Sequence, residues 1–144
     1  MIEKDTVRLL RECDAGIKMG IDSIEEVSDD ISSPELEKLL LDCKDKHREL
    51  QNETSALLGE YHDEGKEPNP MAKTMSFLKT EFKMLTDKSD STIADLMTDG
   101  CDMGVKSLSR YLNQYAAADE KSKDIAKRLI ALEADLSKDL RGFL

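Results

Sequence analysis

The chain has 144 residues, 39% of them hydrophobic and 36% charged, with three prolines and seven glycines. That is enough for one domain with its own core, and the profile suits amphipathic helices better than disorder or an all-β fold. Thirty-one acidic against 21 basic residues leave a formal net charge of −10, which speaks against nucleic acid or an anionic membrane surface as partner.

In chain order, Val7, Leu10, Ile17, Ile21 and Ile24 fall three, four and seven apart and predict a first helix over roughly Asp5 to Asp29, with Asp5 as its N-cap. Ser33-Pro34-Glu35 then carries the signals of a new helix start: a capping Ser, Pro in the first turn and an acid behind it. The second helix holds Leu36, Leu40, Cys43, His47, Leu50, Thr54, Leu57 and Tyr61 in steps of four and three. The short linker makes these two an antiparallel hairpin. A polar break with Gly65 and Pro68 leads to a shorter crossover helix carrying Met71, Met75, Leu78, Phe82 and Leu85. A further break at Asp87–Asp90 precedes a helix with Ile93, Met97, Cys101, Val105, Leu108, Leu112 and Tyr115. Beyond Ala118-Asp119 the last helix carries Ile125, Leu129, Leu132, Leu136, Leu140 and Phe143. No segment alternates as a strand does. The expectation is an all-α antiparallel four-helix bundle in one domain over 1–144, with hairpin 5–61, crossover 62–90 and hairpin 91–144.

Cys13, Cys43 and Cys101 are odd in number and form no C-x-x-C pair, so they suggest neither a disulfide framework nor a zinc ribbon. Buried reduced thiols in a cytoplasmic protein are expected. The opening Met1–Asp5 lacks the apolar run of a signal peptide, and no run of about 18 apolar residues exists to span a membrane.

The two hairpins resemble each other. Cys13-Asp14-Ala15-Gly16-Ile17-Lys18 matches Cys101-Asp102-Met103-Gly104-Val105-Lys106 at four of six positions, at an offset of 88. The second and last helices align at an offset near 89, placing Leu36, Leu40, Cys43 and His47 over Ile125, Leu129, Leu132 and Leu136. A duplicated hairpin joined by a long crossover has the topology of ferritin-like bundles. With Leu10-Arg11-Glu12-Cys13-Asp14-Ala15-Gly16, the Ser33-Pro34-Glu35-Leu36 start, the crossover helix and the helix from Ile93 to Tyr115, nearly the whole chain resembles an uncharacterised bacterial ferritin-like family, a domain of unknown function. The resemblance implies the fold; none of these features is a catalytic motif.

Carboxylate-bridged di-iron bundles use one Glu from each of two helices and a Glu-x-x-His pair from each of the others. Four carboxylates balance two dications, and two imidazoles leave positions open for oxygen or substrate. Laid over this chain, the single carboxylates become Asp14 and Asp102, the second helix offers Lys44-x-x-His47, and the last offers Glu133-x-x-Leu136. Lys44 aims an ammonium at a cation site, and Leu136 supplies no donor. A residual site for one iron or manganese ion on Asp14, His47, Asp102 and Glu133 is the functional alternative. The plainer reading pairs Asp14 and Asp102 with Lys18 and Lys106 one turn on, leaves His47 as a hydrogen-bonded core histidine, and expects no cofactor.

Cys43 and His47 share a helix face, but two ligands do not make a site. Gly16/Gly20 and Gly100/Gly104 cost helix stability and predict close helix approach. Met71, Met75 and Met84 on or near the crossover could form an adaptable contact surface. No phosphate loop or nucleophile triad occurs. The expected function is that of a structural or interaction module without ferroxidase activity, acting through self-association or a protein partner; the alternative is an iron or manganese protein with a redox or storage role in stress.

Overall fold

A computed structural model describes residues 2–63, 65 and 86–144, and every regular element among them is helical. Helix α1 spans Ile2–Val27, α2 Pro34–Glu60, α3 Asp90–Gln114 and α4 Glu120–Leu140, with short 3-10 turns at Ser28–Asp30 and Arg141–Phe143. The expected crossover helix, with Met71, Met75, Met84, Leu78, Phe82 and Leu85, lies outside the described residues.

Three of the four helices start on a side-chain cap, the expected one at Ser33 among them. Ser33 Oγ accepts from Leu36 N at 3.3 Å, with Pro34 in the first turn. Ser89 Oγ accepts from Thr92 N at 3.3 Å, and Asp119 Oδ1 from Ser122 N at 2.8 Å. The first helix differs: it already runs at Ile2, so Asp5 is not its N-cap. Its carboxylate instead accepts from Ala117 N at 3.1 Å, tying α1 to the α3–α4 turn.

Two sets of hydrogen bonds orient the bundle. At one end, Ser32 N and Ser33 N donate to the Asp90 carboxylate at 2.9 and 2.8 Å, joining the α1–α2 turn to the start of α3. At the other, Asp119 N donates to Thr6 Oγ1 at 2.8 Å, joining the α3–α4 turn to the start of α1. Helix α1 is therefore antiparallel to both α2 and α3, and α2 and α3 set out from the same end. Residues 61–89 thus join opposite ends of a bundle whose 25-residue α3 is about 37 Å long. Helix α1 packs on α2 and α4 and less extensively on α3, and α4 packs on both α3 and α2. This is the four-helix topology with one long connection.

On α2 the buried positions are Leu36, Leu40, Cys43, His47, Leu50, Thr54 and Leu58. The expected stripe ended on Leu57 and Tyr61, but its last step is four residues, because a straight helix of 3.6 residues per turn drifts off a 3.5 repeat. Helix α1 is buried more widely than its stripe: Glu12, Asp14, Ala15 and Met19 are buried with Leu9, Leu10, Cys13 and Ile17. Part of that cover is the chain leaving α2. Gly65 sits against the Asp14 carboxylate in a positive-φ conformation (φ 90°) that leaves no room for a Cβ.

The core forms two clusters along the bundle axis. One gathers Ile24, Leu36, Leu40, Ile93, Met97 and Leu140 towards the α1–α2 turn. The other gathers Leu9, Ile17, Leu50, Leu108, Ile125 and Leu129 towards the α3–α4 turn. A polar layer lies between them.

Candidate functional site

The polar layer is built around His47. The phase of the α2 stripe aims position 47 at the bundle centre, between Cys43 and Leu50, and the residue is 1% exposed. A full-sized neighbour on α1 would exclude the ring: a Cβ on Gly20 would lie 2.6 Å from His47 Nε2 and 2.8 Å from its Cδ2. Glu133 enters from α4, where its side chain passes Gly104; a Cβ there would lie 3.7 Å from Oε2 and 3.8 Å from Cγ.

Both ring nitrogens are engaged. His47 Nδ1 lies 2.8 Å from the Cys43 carbonyl oxygen and 3.5 Å from Cys43 Sγ. A carbonyl can only accept, so Nδ1 carries a proton and donates. Nε2 lies 2.7 Å from Glu133 Oε1, the length of a charge-assisted bond. Burial opposes a charge on this imidazole, but the hydrogen bonds to Cys43 and Glu133 and the carboxylate's charge outweigh it and raise the pKa to about 10. At neutral pH the pair is an imidazolium–carboxylate joining α2 to α4.

The nearby thiols are not activated. Burial pushes the Cys101 thiol well above its ordinary range, and the charge and hydrogen bond of Glu133 push it further. Burial, with Glu12 and Asp14 adding to it, holds Cys13 up at about 12. Neither is a nucleophile at neutral pH. All three cysteines are buried and unbridged.

Beside the pair is a cavity of about 40 Å³, lined by Gly16, Gly20, Met97, Cys101 and Glu133 among others. Leu136 forms part of its apolar wall, and Lys44 is half-buried without lining it.

Of the four candidate ligands, the structure joins His47 to Glu133 and places the other two elsewhere. Asp14, 2% exposed, pairs with Lys18 Nζ at 2.8 Å. Asp102 is exposed and accepts from Ser137 Oγ at 3.1 Å. Neither lines the cavity. Among the described residues no group of three or more His, Cys, Asp or Glu side chains is arranged to hold a metal ion. Sequence reasoning did not find the contact of Glu133 with both His47 and Cys101, nor Gly20 as the space for the imidazole. Only the two pairs of mid-helix glycines, costly in a helix interior, pointed to close approach there.

Among the described residues no helix is long and apolar enough to cross a membrane. No family model, curated protein or solved structure matches the chain.

Proposed function

We propose that the chain is a ferritin-like bundle of a bacterial cytoplasm that serves as a structural or interaction module, with an ion pair at the depth where di-iron bundles hold their metal. The observation that carries this reading is the double engagement of His47, Nδ1 on the Cys43 carbonyl and Nε2 on Glu133. An imidazole protonated on both nitrogens has no lone pair for a cation. Asp14 and Asp102, the carboxylates that would balance a dication, are held by Lys18 and Ser137. What remains is a cross-link between two helices that stiffens the scaffold, leaving its function to its surfaces, through self-association or a protein partner.

The test is metal analysis of protein purified from cells supplied with iron and manganese, followed by anaerobic titration with each ion. The expected result is no stoichiometric iron or manganese and no uptake. Stoichiometric metal that disappears in His47→Ala would overturn the reading. Light scattering over a range of concentrations addresses self-association, and a mass that stays monomeric throughout removes that mode of action.

A further inference from the structure

The cavity beside the ion pair is rich in sulfur. Met19 of α1 and Met97 and Cys101 of α3 all line it, and each is more than nine-tenths buried. Methionine in a core ordinarily fills gaps, being flexible and unbranched. Here two methionines border a space of about 40 Å³ that remains open, well above the roughly 10–15 Å³ that admits one water. The two thioethers and the thiol come from helices that pack on each other, and Gly16 and Gly20 line the same space without side chains of their own.

Thiol and thioether donors favour soft ions, copper(I) above all. Charge points the same way. A thiolate and a monovalent ion sum to zero, so the occupied pocket stays neutral within apolar walls. A divalent ion on the same donors would leave net charge where desolvation is costly. The adjacent His47–Glu133 pair is already neutral as a unit.

We propose that this pocket binds a single copper(I) ion through Cys101, Met19 and Met97. On binding, the Cys101 S–H bond breaks, an S–Cu bond forms, and the proton passes to solvent by way of the Glu133 carboxylate, which lines the same pocket. No electron is transferred. The site uses none of the carboxylate–imidazole ligands considered for iron or manganese. It also leaves the His47–Glu133 pair in place, so its failure would not touch the module reading above.

The experiment is anaerobic titration of the full chain with copper(I) against bicinchoninate, a chromophoric copper(I) chelator. The wild type should retain about one equivalent and develop an ultraviolet thiolate-to-copper(I) band. Cys101→Ser should lose both. Met19→Leu and Met97→Leu, which conserve volume, should each weaken binding by about tenfold or more, since even outer-shell changes cost roughly 10–100-fold in metal affinity. Cys13→Ser should change nothing. The proposal is overturned if the chelator strips all copper from the wild type, or if Cys101→Ser holds copper as tightly as the wild type does. Should Cys101→Ser fail to fold, the Met19→Leu/Met97→Leu double variant decides: unchanged affinity overturns the site, and lost affinity in a protein with wild-type circular dichroism supports it.

Discussion

A β-carbon at position 20 would sit 2.6 Å from His47 Nε2, closer than packed atoms approach. Alanine normally gains about 1 kcal/mol over glycine inside a helix, yet here that gain is outweighed. His47 is held at that same nitrogen by Glu133 at 2.7 Å and at Nδ1 by the Cys43 carbonyl at 2.8 Å, and it cannot swing away without breaking the pair. Gly20→Ala is therefore expected to lower stability by roughly 1–3 kcal/mol, the usual range for overpacking, read as a shifted urea midpoint. The pair itself is tested by pH. The folded pKa of His47, about 10, lies above its unfolded value of 6.5, so its contribution is complete below about pH 6.5 and is lost as the pH rises towards 10. The urea midpoint of the wild type should fall across that window. In His47→Leu this component of the slope should be missing, and the variant should be less stable by roughly 1–3 kcal/mol at neutral pH, because the partly buried Glu133 carboxylate loses its charged partner. His47→Leu/Glu133→Leu should recover much of the loss; a double variant as unstable as the single would show that the carboxylate left behind is not the cause.

At the level of the helix, ends and faces were legible to different degrees. Ser33 caps as its position suggests, because an N-cap is decided within one turn of chain, and Ser89 and Asp119, within breaks the sequence marked without naming a cap, do the same. Asp5 carries the same local signal, but its carboxylate is used across the bundle on Ala117 N, a partner no local pattern reveals. Ser33→Ala should accordingly cost about 1 kcal/mol, and Asp5→Ala about 0.5–1.5 kcal/mol through its hydrogen bond to Ala117 N; an unchanged urea midpoint in Ser33→Ala would contradict the capping assignment. The site divides along the same line. Periodicity placed His47 on the inner face of α2, and Glu133 was found by its spacing from position 136. Their contact joins residues 86 apart in sequence, which no spacing within a helix encodes. Asp14 and Asp102 were expected to behave alike because their surrounding sequences match, yet one is buried on Lys18 and the other exposed beside Ser137. The cover given to α1 by the chain leaving α2, with Gly65 against Asp14, has no counterpart at Asp102 among the described residues.

For the molecule as a whole, a net charge of −10 sits on a bundle held by apolar clusters that salt does not weaken. The exposed ion pairs oppose this charge only locally. Arg128 bridges Glu53 and Asp124, with its shortest contact at 2.7 Å, and Arg48 reaches Glu25 at 3.2 Å. Exposed pairs of this kind contribute about 0–1 kcal/mol each and are themselves screened by salt. Added salt therefore weakens two opposing effects, the few attractive contacts and the repulsion among the excess carboxylates. The second extends over the whole surface and is the larger for a chain with ten more acids than bases. Raising sodium chloride from about 20 mM to about 300 mM shortens the Debye length from roughly 20 Å to below 10 Å and should raise the urea midpoint. The His47–Glu133 pair is shielded from solvent, so His47→Leu should gain from salt as much as the wild type does. A midpoint that falls with salt would mean that the surface ion pairs, not the core, hold the bundle together; a different salt response in His47→Leu would mean that the pair is open to solvent.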